Sequence, residues 1–225
     1  SQKGSPMHKV AAFIPSAILS MCLSTASISA AQNEGNGTKH YGLTECAVHE
    51  LGRANSKGKA QNASSQFELA MDYLHSFCPE NRIAIALDLM TKAALAGHQQ
   101  AAYVLGKMYI DVQIVVQDLL VADRFLRIAA DQGYIAAQHK LGLVILWQAT
   151  NANTRNDGLR WLGIAAGQGD QLSALSLGFI HQKGMHGVSV DPCVALDWYK
   201  SAKLMGFADK GGLIAQLQGN LGNVC

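Results

Sequence analysis

Apolar and polar residues alternate along most of this chain with the period of an α-helix. Ala102, Leu105 and Tyr109 form one apolar series, and Ala86, Met90 and Ala94 form another. Spacings of three and four residues place such side chains on one face of a helix, whereas a half-buried strand alternates at every second position. No stretch shows that alternation. The pattern therefore predicts an all-α fold.

The apolar pattern itself repeats about every 36 residues. Glycines recur at intervals of 36, 36 and 37, and eight positions before each lies a bulky apolar residue, preceded three positions earlier by a small one. The glycines are Gly97, Gly133, Gly169 and Gly206; the bulky residues are Leu89, Phe125, Trp161 and Trp198; the small ones are Ala86, Ala122, Gly158 and Ala195. A second register, Leu105-Gly106, Leu141-Gly142 and Leu177-Gly178, keeps the same interval. Two agreeing registers predict four copies of one structural unit.

Each unit is predicted to be a pair of antiparallel helices, over residues 100–111 and 118–132 in the second unit. Small residues are needed where helix axes approach closely, and large ones fill the space opposite. The glycine after each second helix is typical of a left-handed cap. Asp191 followed by Pro192 is typical of a helix start. In the third unit the polar run 151–157 is expected to form the turn between the two helices.

These residues resemble the Sel1-like repeat family, a branch of the tetratricopeptide-repeat group. The best match joins Leu177-Gly178, the glycine-rich turn from Gly184 to Asp191, and Trp198-Tyr199 through Gly206. The resemblance covers about residues 66–207. It implies a right-handed α-solenoid of antiparallel helix pairs that acts as a protein adaptor. We expect a lead helix and linker over 32–64, four repeats over 65–207, and a capping helix from about 208 to 219 followed by a tail, within 208–225.

The first 31 residues are predicted to be a targeting segment rather than part of the fold. Residues 1–6 resemble an expression scar or upstream extension. His8 and Lys9 then lead into an apolar run, 10–23, which is followed by small residues. This is the layout of a secretory signal peptide cleaved near Ala30 or Ala31, and predicts a periplasmic or secreted protein. A membrane anchor is disfavoured because the run is short; lipidation of Cys22 is the other alternative.

Export changes the meaning of the cysteines. Cys46, Cys78, Cys193 and Cys225 remain after cleavage, an even number in an oxidising compartment. Four cysteines allow three pairings. On the repeat arrangement that the resemblance implies, we expect Cys46–Cys78 and Cys193–Cys225, one at each end of the array, each stabilising by roughly 3–4 kcal/mol. Free buried thiols are the alternative.

Composition removes several classes of protein. The 225 residues are 49% hydrophobic and 15% charged, with 18 Lys and Arg against 16 Asp and Glu. These values exclude a disordered tail, a collagen-like fibre and a strongly basic nucleic-acid binder. The leader takes away Lys3 and Lys9 and no acid, so the mature chain is electrically balanced.

Candidate chemistry is sparse. His181, His186, Asp191 and Cys193 are suitable metal ligands, but their spacing follows no zinc pattern and His181 replaces a family tyrosine on a packed helix face. We therefore assign them a structural role and expect no metal or cofactor. Metalloprotease, redox-cysteine, serine-hydrolase and phosphate-loop motifs are absent from the sequence.

A partner-binding groove is the more informative hypothesis. In the family, the first helices of the repeats line the concave side, and the positions three before and one after the Leu-Gly glycine point into it. The resemblance assigns to these positions Tyr103, Lys107, His139, Leu143, Leu175 and Phe179. Exposed apolar side chains on such a groove would receive a peptide or partner helix. Alternatively, Leu175 and Phe179 pack on neighbouring helices.

Two functions follow. The first is a non-enzymatic adaptor that binds a protein or peptide partner in the cell envelope, without nucleic acid or a membrane span in the mature chain; exported members of the family, such as the MotX type in flagellar motors, are similar. The second is an enzyme acting on cell-wall material or β-lactams, as suggested for cysteine-rich members. That alternative lacks a recognisable nucleophile and base.

Overall fold

A computed structural model describes residues 62–75, 82–111 and 114–222, which are built from helices and turns without a strand. The helices are α1 (Ala63–His75), α2 (Arg82–Leu95), α3 (Gln99–Ile110), α4 (Leu119–Asp131), α5 (Ile135–Gln148), α6 (Ala152–Gly167), α7 (Gln171–Lys183), α8 (Pro192–Leu204) and α9 (Leu213–Leu221), with a short 3₁₀ turn at Met185–Gly187. The predicted all-α fold is confirmed. The signal peptide, the lead helix, Cys46, Cys78 and Cys225 lie outside the described residues.

The helices pack as consecutive pairs, α1 with α2, α3 with α4, α5 with α6 and α7 with α8, and α9 packs on α8. Short turns between packed neighbours make them antiparallel. The two helices predicted for the second unit agree with α3 and α4 to within one residue. Each pair buries its apolar faces against the next, and the buried residues form a core along the array.

The glycine turns between pairs share one geometry. Gly97, Gly133, Gly169 and Gly206 have φ between +86° and +100°. In the first of these turns, the N–H of Gly97 donates to Ala94 O and the N–H of His98 donates to Ala93 O, both at 3.0 Å. The same two bonds recur at the other three glycines. This is a Schellman cap, which needs a left-handed residue that glycine adopts without strain.

The Leu-Gly glycines mark where the two helices of a pair come closest. A Cβ on Gly106 would lie 2.7 Å from Leu126 Cγ, and one on Gly178 would lie 2.8 Å from Tyr199 Cε1. At Gly142 the added atom would lie 2.9 Å from the backbone oxygen of Gly158. The three glycines therefore occupy equivalent buried environments one repeat apart.

Two expected helix boundaries are wrong. The polar run 151–157 begins a helix and does not form the turn, because Asn151 Oδ1 accepts from the N–H of Thr154 and caps α6. The closing helix begins at Leu213 and not at residue 208. There, the Asp209 carboxylate accepts from the N–H groups of Leu213 and Ile214, which fixes the start of α9. By contrast, Asp191 caps α8 ahead of Pro192 as predicted.

Among the described helices, none is both long enough and apolar enough to cross a membrane.

We expect Gly142→Ala and Gly163→Ala to change stability in opposite directions. At Gly142 the new methyl group meets the backbone of α6, which cannot rotate away, so unfolding should become easier by about 1–3 kcal/mol. At Gly163, inside α6, nothing lies within 4 Å, and alanine should stabilise the helix by about 0.5–1 kcal/mol. Urea unfolding followed by circular dichroism measures both. Equal effects of the two substitutions would contradict the close helix approach.

Candidate functional site

The position three residues before each Leu-Gly glycine contacts the next repeat. Tyr103 packs against Tyr134 with ring centroids 5.2 Å apart, and His139 Nδ1 lies 3.2 Å from Asp170 Oδ2. In each pair the second residue is 31 positions further along and lies in the turn that opens the next repeat. Earlier in the chain, Phe67 stacks on His98, which also lies 31 residues further along, with ring centroids 4.7 Å apart. We call these contacts the inter-repeat ladder.

The ladder changes the assignment of the predicted groove. Tyr103 is half-buried and His139 is buried, because their side chains are used between repeats. Leu175 holds the same position in the fourth repeat and is half-buried. It packs against two apolar clusters of the core, one that contains Leu177 and one that contains Leu196, and Phe207 packs against the first of these. The alternative that Leu175 packs on neighbouring helices therefore describes it better than an open groove does.

His139 is the centre of a polar seam between the third and fourth repeats. Asp170 Oδ2 accepts from the N–H of Ser173 at 2.9 Å and from its hydroxyl at 2.5 Å, and His139 Nδ1 lies 2.9 Å from that hydroxyl. Beside them, Gln168 Nε2 donates to Gln138 Oε1 at 3.0 Å. These five residues make polar contacts with one another at the junction of the two repeats. We call them the polar seam.

Burial lowers the pKa of His139 below its ordinary value of 6.5. The carboxylate of Asp170 opposes this shift, because it favours the imidazolium ion, whereas the neighbouring Lys140 adds to it. Since desolvation is the largest cause, the folded chain favours the neutral ring.

The Ser–His–Asp composition of the seam does not form a catalytic triad. In a triad the histidine takes the serine proton at one ring nitrogen and is held by the carboxylate at the other. Here Ser173 and Asp170 both approach Nδ1 of His139, and the Ser173 hydroxyl donates to the carboxylate. Ser173 is also completely buried, so a substrate does not reach it. The seam is a structural contact.

The residues considered as metal ligands are not brought together as a set. The described residues contain no cluster of three or more histidine, cysteine or acidic side chains suited to a metal ion. Asp191 is engaged as the cap of α8, and Cys193 is disulfide-bonded. His186 lies in the turn after α7 with φ +55°, where Arg155 Nε donates to its carbonyl oxygen at 2.9 Å. The predicted partner of Cys193, Cys225, lies outside the described residues.

The exposed side of the first helices carries the remaining groove residues. Lys107, Leu143 and Phe179 each follow the Leu-Gly glycine of their repeat, and the structure leaves Lys107 and Phe179 exposed and Leu143 half-buried. Trp147 lies one turn after Leu143 and is 50% exposed; Leu172 lies two turns before Phe179 and is 61% exposed. Because residues four and seven apart share a side of a helix, these residues form one surface. We call this exposed side of α3, α5 and α7 the first-helix face.

Sequence reasoning missed Trp147 and Leu172. The family pattern assigns only the positions three before and one after the glycine, whereas these two lie five after Gly142 and six before Gly178. The available signal was the spacing of these positions along each helix. Trp147 lies four residues after Leu143 and Leu172 lies seven residues before Phe179, which places each on the exposed side of its helix, away from the buried leucines.

We expect the polar seam to make folding stability depend on pH. Because the folded chain lowers the pKa of His139, it binds fewer protons than the unfolded chain, so this contribution to stability is fully present above about pH 6.5 and is lost as the pH falls from there through the lowered pKa of the folded chain. His139→Asn should flatten the loss of unfolding free energy between about pH 7.5 and about pH 5.5. Lys140→Gln should make this loss of unfolding free energy smaller, because removing the lysine charge raises the pKa of His139. Urea titrations across this range measure the slopes. Parallel slopes for the original chain and His139→Asn would contradict the assignment.

Comparison with known proteins gives the same architecture. No family model matches the chain. The chitin synthase regulator SKT5 of Saccharomyces cerevisiae is 29% identical over 146 residues, which cover 61% of this chain and 21% of the regulator, so the match spans about a fifth of that curated relative. A solved Sel1 repeat protein from Oxalobacter formigenes superposes with a TM-score of 0.61 at 22% identity, over 78% of this chain and 71% of that one.

A second solved structure is a protective antigen present in uropathogenic Escherichia coli strains, which displays the Sel1-like repeat fold. It matches with a TM-score of 0.57 at 29% identity, over 69% of this chain and 33% of the antigen. In this chain the glycine caps lie 36 or 37 residues apart and the Leu-Gly contacts lie 36 residues apart. The described helices therefore form an α-solenoid with the Sel1-like repeat fold.

Proposed function

We propose that this chain is a non-enzymatic adaptor that binds a protein partner through the first-helix face. The observation that carries the proposal is the set of apolar side chains that α5 and α7 leave uncovered. Trp147, Leu172 and Phe179 are each about half exposed or more, on helices that the seam between His139 and Ser173 holds side by side. Large apolar groups gathered on one surface are typical of a binding site for another protein.

The relatives support the same function at a coarse level. Sel1-like repeats are interaction scaffolds, and the protein from Saccharomyces cerevisiae is named as a regulator of an enzyme.

Export and an envelope setting are part of the proposal. The apolar segment 10–23 and the small residues near Ala30 and Ala31 favour a cleaved leader. The disulfide at Cys193 agrees with an oxidising compartment, where such bonds persist. A periplasmic complex or a flagellar motor, as for the MotX type, is one such setting.

We expect Leu172→Ala with Phe179→Ala to reduce partner binding without changing the fold. Both side chains are largely exposed, so their loss should leave the helical circular dichroism unchanged, whereas capture of the partner should fall by roughly tenfold or more. A photo-reactive amino acid placed at Leu143, in cells that produce the protein, identifies the partner and measures its yield.

Leu204→Ala is the matched control, because Leu204 is 90% exposed on α8 and lies outside the first-helix face. The control should capture as much partner as the original chain. Equal capture by all three proteins, or no cross-linked partner at all, would remove the adaptor proposal.

The alternative of a β-lactam-acting enzyme has its own test. Because Ser173 is buried and donates to Asp170, it is not positioned as a nucleophile, and we expect no covalent labelling of the purified chain by a fluorescent penicillin. Labelling that survives denaturing electrophoresis and is abolished by one serine substitution would favour the enzyme.

A further inference from the structure

Charged residues are divided between the two kinds of helix. The first helices α3, α5 and α7 contain no aspartate or glutamate, and their cationic side chains include Lys107, Lys140 and Lys183. The second helices α2, α4, α6 and α8 each contain at least one aspartate and at least one arginine or lysine. Acidic side chains are therefore absent from the first helices of the second, third and fourth repeats and present in all four second helices.

Most aspartates of the second helices are paired with a cation of the same helix. Lys92 lies 2.6 Å from Asp88 in α2, and Arg160 lies 2.6 Å from Asp157 in α6. Similar pairs join Arg127 to Asp123 in α4 and Lys200 to Asp197 in α8. Arg127 also reaches Asp157 of the next repeat, at 3.9 Å. Four of the five aspartates in these helices are thus paired within their own helix, and the helices hold eight arginines and lysines against those five.

The lysines of the first helices have no such partner. Within the part of the chain that the structure describes, Lys107, Lys140 and Lys183 form no ion pair. The nearby acids are otherwise engaged: Asp118, Asp170 and Asp191 accept backbone N–H groups at helix starts. Asp111 is exposed at the end of α3, four residues after Lys107, and offsets part of the positive charge of the three lysines.

These lysines lie on the side of the helices that carries the uncovered apolar groups. Lys107 occupies the repeat position of Leu143 and Phe179, and Lys183 occupies the repeat position of Trp147. Lys140 lies three residues before Leu143, on the same side of α5. The first-helix face is therefore both cationic and apolar. Helix α1, the first helix of the first repeat, differs from α3, α5 and α7 because it carries Glu68 and Asp72.

We propose that the first-helix face binds an acidic protein segment that inserts large apolar side chains between Leu143, Trp147, Leu172 and Phe179 while its carboxylates meet Lys107, Lys140 and Lys183. This inference rests on the adaptor function and adds the chemistry of the partner. Complementary charge speeds encounter and fixes register, whereas the buried apolar anchors supply most of the binding energy.

The test is selection of random-sequence peptides displayed on phage against the full chain, followed by fluorescence anisotropy with synthetic versions. We expect the selected peptides to be rich in aspartate and glutamate and to contain leucine or aromatic residues. Lys107→Glu with Lys183→Glu should weaken their binding by roughly tenfold or more, and added salt should weaken it further. Replacing the apolar residues of a selected peptide by serine should abolish binding.

The matched control is Lys200→Glu with Lys203→Glu on α8, which changes the net charge by the same amount away from the first-helix face. It should bind the selected peptides as the original chain does. Equal weakening in both double variants would show a net-charge effect and overturn the proposal, as would equal competition by a single-stranded DNA oligonucleotide. A selection that enriches nothing, or enriches neutral or basic peptides, would also overturn it.

The adaptor function is judged separately, by the photo-cross-linking at Leu143. If a partner is captured there but its contacting segment is not acidic, the charge inference fails and the adaptor function stands. If peptides bind as expected but no partner is captured in cells, the adaptor function fails instead.

Discussion

The close contact between the two helices of each repeat is the constraint on which the rest of the structure depends. A Cβ at Gly142 would lie 2.9 Å from the oxygen of Gly158, and a Cβ at Gly158 would lie 2.9 Å from the oxygen of Gly142, so the two backbones touch directly. Gly106 and Gly178 make the equivalent approach to Leu126 and Tyr199. A backbone contact leaves little freedom in helix spacing, and this fixes the shape of each repeat.

A fixed repeat shape determines where its side chains meet the next repeat. Because the Schellman turns hold the same geometry at each junction, Tyr103 and His139, each three residues before its glycine, meet the residue that caps the first helix of the following pair. The contact needs only groups of suitable size and polarity, so one position holds a pair of tyrosines and another holds His139 with Asp170. The array keeps its pitch while one junction becomes polar and titratable.

The contrast between fixed backbone contacts within a repeat and variable side-chain contacts between repeats explains what the sequence could and could not predict. The glycines and the small residues were informative because only they permit the backbone contacts, so helix pairing, turn geometry and the bounds of α3 and α4 could be read from their spacing. The groove was harder to predict. His139 lies at the border between the buried and open sides of α5, and it is buried beside Asp170 and Ser173, which lie 31 and 34 residues further along the chain. The same holds for Asn151 and Asp209, whose side-chain hydrogen bonds shift two helix boundaries.

The separation of charge between helices costs the fold little. Neighbouring first helices in such an array are spaced by about 10 Å, close to the distance over which physiological salt screens exposed charges, so Lys107 and Lys140 repel each other only weakly. On the second helices, Asp157 links Arg160 of its own helix to Arg127 of the preceding repeat. A partner that places several carboxylates along the first-helix face would meet all three lysines at once, whereas a single small acid would meet one. The surface therefore favours an extended acidic chain over a small anionic ligand.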